Sequence, residues 1–71
     1  MDRFMQLRHL AEAEEHVVRG AQHVSDQETR VMDLDHRGQD SLLARAVLEN
    51  FRALQAQHEA HRDHILTALG R

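Results

Sequence analysis

Seven histidines stand in this 71-residue chain, and their spacing is the feature with chemistry in it. His58, His61 and His64 recur every three residues, and His9, His16 and His23 every seven. On a helix, steps of three or seven keep side chains on nearly one face, so each set forms a row of imidazoles. A carboxylate pair, Glu14 and Glu15, adjoins His16. Neutral imidazole with one carboxylate is a donor set for Zn, Cu, Ni or Fe, which makes His16, His58, His61, His64 and Glu14 the candidate metal ligands, for zinc or another first-row transition metal. The carboxylate-bridged di-iron pattern needs Glu-x-x-His, which the second half of the chain lacks, and Asp33-x-x-His36 falls at an expected helix end.

Two other readings use the same residues. A His and a Glu between apolar layers can form a hydrogen-bonded pair that fixes helix register, with no cofactor. Alternatively, charging all seven imidazoles would raise the formal net charge of −3 by seven and make assembly pH-dependent. The register pair is the leading reading and the metal site is the alternative. Catalysis has little footing. Ser25, Thr29 and Thr67 have no neighbouring base and orienter, and no Gly-rich phosphate loop is present. The expectation is a protein that is not an enzyme.

The elements that must position these residues are helices. Pro is absent and Gly occurs only at 20, 38 and 70, so few points interrupt a helix. Gly38 suits the left-handed residue after a helix end, and Asp40 or Ser41 suits the cap of the next helix. One domain over 1–71 follows: a helix over about 3–36, a turn over about 37–40 and a helix over about 41–69. Ser25-Asp26-Gln27-Glu28 matches a capping box, which sets a break near 22–26 against a continuous first helix. The seven-residue spacing of Val17, Val24 and Val31 runs through it unshifted and favours continuity.

Leu10, Val17, Val24 and Val31 mark the expected seam of the first helix, supported by Leu7, Ala11, Val18, Ala21, Met32 and Leu34. In the second, the expected seam falls on Ala44, Val47, Phe51, Leu54, His58, His61, Ile65 and Ala68, widened by Leu43, Leu48 and Leu69. Antiparallel partners across such a turn have numbers adding to about 75. Leu10 then meets Ile65, Ala21 meets Leu54, Val24 meets Phe51, His58 meets Val17 and His61 meets Glu14.

Composition limits the partners. The twelve acidic residues exceed the nine basic ones, all Arg, and Phe4 and Phe51 are the only aromatics, so neither a phosphate backbone nor stacked bases are expected as partners. The absence of Lys reads as codon bias. No apolar stretch reaches the length of a membrane span, and Met1-Asp2-Arg3-Phe4 does not open a signal peptide, which makes the cytoplasm the expected location and a membrane an unexpected partner. Cys is absent too, so no disulfide staples a chain of this size. Apolar stripes this wide exceed what one neighbouring helix covers. The expectation is therefore an all-α, coiled-coil-like antiparallel hairpin that pairs as a homodimer into a four-helix bundle, or packs on another helical protein.

The segments Leu10-Ala11-Glu12-Ala13-Glu14-Glu15-His16-Val17, Gly38-Gln39-Asp40-Ser41 and Gln57-His58-Glu59-Ala60-His61-Arg62-Asp63 together resemble a group of short, uncharacterised helical-hairpin proteins of alphaproteobacteria. The resemblance spans most of the chain and implies the hairpin, with no activity to carry over. In that group the turn often reads Gly-His-Asp where this chain has Gly38-Gln39-Asp40, a departure that removes a turn histidine.

Overall fold

In the computed structural model, which describes residues 2–70, the chain forms two helices, α1 over Arg3–His36 and α2 over Leu42–Leu69. They lie side by side as an antiparallel hairpin 54 Å long and 14 Å across, with no strand among the described residues. The Asp2 side chain caps α1 by accepting from the Phe4 N–H at 2.9 Å. α1 passes unbroken through Ser25. The residues of the capping-box motif bond within the helix instead: Gln22 Nε2 donates to Asp26 Oδ1 at 2.7 Å, and Thr29 Oγ1 donates to the Ser25 carbonyl at 3.2 Å.

The turn is fixed by backbone chemistry and then by a side-chain clamp. Gly38 takes φ 70°, its N–H donates to the Asp35 carbonyl and the Gln39 N–H reaches back to the Leu34 carbonyl. These are the paired bonds of a Schellman ending, which satisfies the last orphan carbonyls of α1. Asp40 Oδ1 then accepts from the Leu42 N–H at 2.9 Å, which starts α2. Buried Ser41 donates to Asp35 at 2.6 Å and accepts from Arg45 Nε, while Arg45 also pairs with Asp35. The clamp ties the end of α1 to the first turn of α2.

Burial along both helices steps by three and four. In α1 the inward residues are Gln6, Leu10, Ala13, Val17, Gly20, Val24, Gln27, Val31 and Leu34, with Glu28 half-buried at their edge. In α2 they are Ala44, Leu48, Phe51, Gln55, His58, Arg62, Ile65 and Leu69, with the expected seam residue Val47 half-buried at their edge. This is the a/d pattern of a two-helix coiled coil. The seam of α1 expected from the sequence is half right: Leu10, Val17, Val24, Val31 and Leu34 face α2, but Leu7, Ala11, Val18, Ala21 and Met32 are exposed. In α2, Leu43, Leu54, His61 and Ala68 are exposed as well, and Gln55 and Arg62 hold the inward places. The physical reason is that two helices with a single contact line bury only a narrow strip. Positions 40° or more away from that strip stay outside even when they are apolar.

Small residues fill much of the seam. Ala13, Val31, Ala44, Leu48 and Ile65 are its buried apolar members, and the one contiguous cluster among the described residues, Val31, Ala44 and Leu48 with Val24 and Leu34 against it, sits in the turn half. Two glutamines bridge the helices: Gln27 Nε2 donates to the Ala44 carbonyl at 2.9 Å, and Gln55 Nε2 donates to the Val17 carbonyl at 2.8 Å. The second bridge needs Gly20. A Cβ there would lie 1.8 Å from Gln55 Oε1, so the amide occupies the space a side chain would take.

Replacing Gly20 by Ala therefore expels the Gln55 amide and loses its bond, which offsets the helix propensity of roughly 1 kcal/mol that Ala brings. In a Gln55→Ala background the same Gly20→Ala change is expected to stabilise by about 1 kcal/mol. Urea unfolding of the four proteins in a double-mutant cycle checks this, and additive effects would disprove the coupling. Gly38→Ala is expected to cost about 1 kcal/mol through its left-handed backbone, read from the same denaturation midpoints.

Candidate functional site

The hairpin has two flanks, one on each side of the seam. Residues seven apart share a helix face, so the surface grooves assign whole rows. One groove brings Ser25, Glu28 and Met32 of α1 against Arg45, Glu49 and Arg52 of α2, and another brings Glu14 and Val18 against Arg62, Asp63 and Leu66. Extending those rows places Phe4, Leu7, Ala11 and Ala21 of α1 and Leu42, Ala56 and Glu59 of α2 on the same side. Grooves on the other side gather His9, Glu12, His16 and His61, then Met5, His9 and His64, then Arg30, Leu43 and Val47. His23 and Leu54 belong there by the same spacing.

This sorting separates the residues singled out in the sequence. His16 and His61 share a groove with His9 and Glu12, and His64 lies one turn further toward the open end, also beside His9. His58 is half-buried in the seam, its ring 5.6 Å from that of His16. Glu14 lies on the opposite flank, beside Arg62 and Asp63. The expected His61–Glu14 contact does not form. A sum near 75 gives the height along the hairpin correctly, but His61 and Glu14 project from opposite sides of the seam. His58 packs against His16, and Phe51 against His23 with rings 5.7 Å apart, each pair within one of the expected sum.

Among the described residues, no three or more His, Asp or Glu side chains come together in a group able to hold a metal ion. What the arrangement offers is a histidine flank, a row of exposed imidazoles edged by apolar α2 residues, and an apolar flank on the other side. Of the nine large hydrophobic side chains left exposed among the described residues, Phe4, Leu7, Val18, Met32, Leu42 and Leu66 lie on the apolar flank, and Met5, Leu43 and Leu54 on the histidine flank. Phe4 is 76% exposed, Leu42 75% and Val18 69%. Spread over one side of a molecule this small, they amount to a patch of the kind that marks interaction surfaces.

Charges on the apolar flank are carried mainly by α2 and are ordered along it. Toward the turn, Arg45 pairs with Asp35, and Arg52 with Glu49 at 2.8 Å and Glu28 at 3.3 Å. Hydrogen bonds to Glu49 first and Glu28 second push the Arg52 guanidinium further above its ordinary value. Toward the open end stand Glu59 and Asp63, of which Asp63 pairs with Arg62 at 3.0 Å. Glu14 and Glu59 make no ion pair among the described residues.

Sequence reasoning missed Gln55, Gln27 and Gly20 as seam residues because it followed hydrophobicity. The signal that finds them is the unbroken three-four alternation, which passes through polar and small positions alike. No known protein family, curated protein or solved structure matches this chain.

Two substitutions separate seam from flank. His58→Leu puts an apolar side chain into the half-buried layer and is expected to stabilise by about 1 kcal/mol. His61→Leu, on an exposed face, is expected to stay within about 0.5 kcal/mol of the parent. Chemical denaturation of both variants checks this, and the reverse order would contradict the placement of these two rings.

Proposed function

We propose that this chain is a non-catalytic structural or protein-interaction module that acts by self-association, as a homodimer that completes a four-helix bundle. The observation that carries the proposal is the imbalance of its apolar surface. Val31, Leu48 and Ile65 are the only large apolar side chains that are buried among the described residues, and none of them fully, against nine left exposed. Burying one such side chain contributes roughly 1.5–3 kcal/mol, so the hairpin withholds more apolar stabilisation than its own seam uses. A neighbouring helix pair recovers it.

Among the described residues, no helix is long and apolar enough to cross a membrane, and we take the cytoplasm as the place of action. The likeness to short alphaproteobacterial hairpin proteins belongs to this proposal and brings no activity with it. The transition-metal alternative, with His16, His58, His61, His64 and Glu14 as ligands, has less in its favour: Glu14 stands across the seam from His61 and His16.

Native mass spectrometry of the tag-free protein, before and after chelator, tests the reading. The expected result is a dimer with no added mass. A monomer at every concentration would overturn it, and chelator-sensitive metal in whole-number ratio would transfer the function to the histidine flank. Val18→Glu places a charge on an exposed apolar position and is expected to weaken the dimer by tenfold or more, on the order of 1.4 kcal/mol, in sedimentation equilibrium.

A further inference from the structure

We infer that a second copy of this chain docks on the apolar flank with its helices reversed, α1 on α1 and α2 on α2, about a two-fold axis that crosses the hairpin near Val18 and Ala21. The inference rests on the self-association reading above and adds to it the face, the direction and the register.

The argument starts from height along the hairpin. Gly20 lies against Gln55, and the ring pairs His16–His58 and His23–Phe51 fall almost level with that contact. Partners across the seam therefore have numbers adding to about 75. A two-fold axis perpendicular to the helices makes the interface self-complementary, so residue i of one copy meets j of the other and j meets i. If α1 meets α1 with numbers adding to about 39, the seam register obliges α2 to meet α2 with numbers adding to about 111. One choice thus fixes both helices.

On α1 this choice sets Leu7 against Met32 of the second copy and Val18 against Ala21, each pair occurring twice, and brings Phe4 to Asp35 and Ala11 to Glu28. On α2 it sets Arg52 against Glu59, also twice, brings Glu49 level with Arg62 and Leu42 level with Leu69 at the edge of the seam, and lays Arg45 over Leu66. Of the two acids of this flank without an ion pair among the described residues, Glu59 faces the guanidinium of Arg52 and Glu14 faces Ser25. The turn-half arginines and open-half acids of α2 become complementary because the second copy runs the other way. Such matching fixes register and direction in an interface.

Other pairings lack these ion pairs. A two-fold along the hairpin would lay α1 over α2 on the same flank; with numbers adding to about 74 it sets Val18 against Ala56 and Met32 against Leu42, but Ala11 against Asp63, and it brings no arginine of that flank to an acid. The reversed pairing on the histidine flank would set His16 against His23 and His9 against Arg30, two pairs that contain no acid, with Glu12 the acid of that groove. It gains one wholly apolar pair, Leu43 with Ala68.

The chain has no cysteine, so single introduced thiols report the geometry directly. Val18→Cys is expected to give a covalent dimer in high yield with a short bis-maleimide. Leu54→Cys, exposed on the histidine flank, is expected to stay uncrosslinked. Glu59→Arg is expected to raise the dimer dissociation constant about tenfold by facing Arg52 with a like charge, and adding Arg52→Glu should restore most of the affinity. Crosslinking through Leu54→Cys, or a dissociation constant unmoved by Glu59→Arg in a protein that still dimerises, would overturn the proposed face while leaving self-association intact. A chain that is monomeric at all concentrations would instead remove the reading on which the face depends.

Discussion

Two glutamine amides, each donating to a carbonyl on the opposite helix, determine where the helices of this hairpin touch. Gln27 reaches Ala44 and Gln55 reaches Val17, and both bonds require the backbones to be close, which Gly20 and the alanines at 13 and 44 allow. A hydrogen bond from a side chain to an interior helix carbonyl uses that oxygen's second lone pair and leaves the helical ladder whole. It also carries a cost. Gln55 Oε1 is buried without a partner, so part of what the amide gains at one atom is spent desolvating the other. The seam is thus specific in register and poor in apolar burial. The wider apolar rows of both helices are rotated outward as a result, toward one flank on α1 and largely toward the other on α2.

The hairpin itself was legible because its signals are local. Gly38 needs a left-handed backbone, Asp40 offers a cap, and nothing between Arg3 and His36 breaks a helix strongly enough to outweigh Val17, Val24 and Val31 on one line. The helix interior also overrode the Ser25 capping box, since a continuous ladder satisfies more backbone groups than a cap can. The seam was legible only in part because hydrophobicity ranks Leu54 above Gln55 and Val18 above Gly20. Packing between two helices selects by angle and by closeness of approach, and it took the glutamine and the glycine. Level pairing, by contrast, followed from turn length alone: the His16–His58 and His23–Phe51 pairs fall within one of the expected sum.

The same distinction explains the histidines and Glu14. Number spacing says which residues share a face and which are level, but a side of the seam is a third coordinate that needs the seam's own phase. With Gln55 and Arg62 inward, His61 turns to the flank of His9 and His16, while Glu14 turns to that of Arg62 and Asp63. One shift of phase dissolves a three-residue cluster and creates two chemically unlike surfaces, one rich in imidazole and one rich in exposed leucine, valine and methionine.

The position of the apolar cluster also sets the two ends of the hairpin apart. Val31, Ala44 and Leu48 lie beside a turn already closed by Gly38 and by the Asp35–Ser41–Arg45 clamp, so the contacts that close the shortest loops are also the best buried. Toward the open end, cross-helix partners such as Arg3 and the Leu69 carbonyl are 66 residues apart in sequence, and only Ala13 and Ile65 are buried apolar residues. The entropy of loop closure is therefore smallest where burial is best and largest where burial is poorest. The hairpin is a rod with a stiff end and a yielding one, and most of its imidazoles sit in the yielding half.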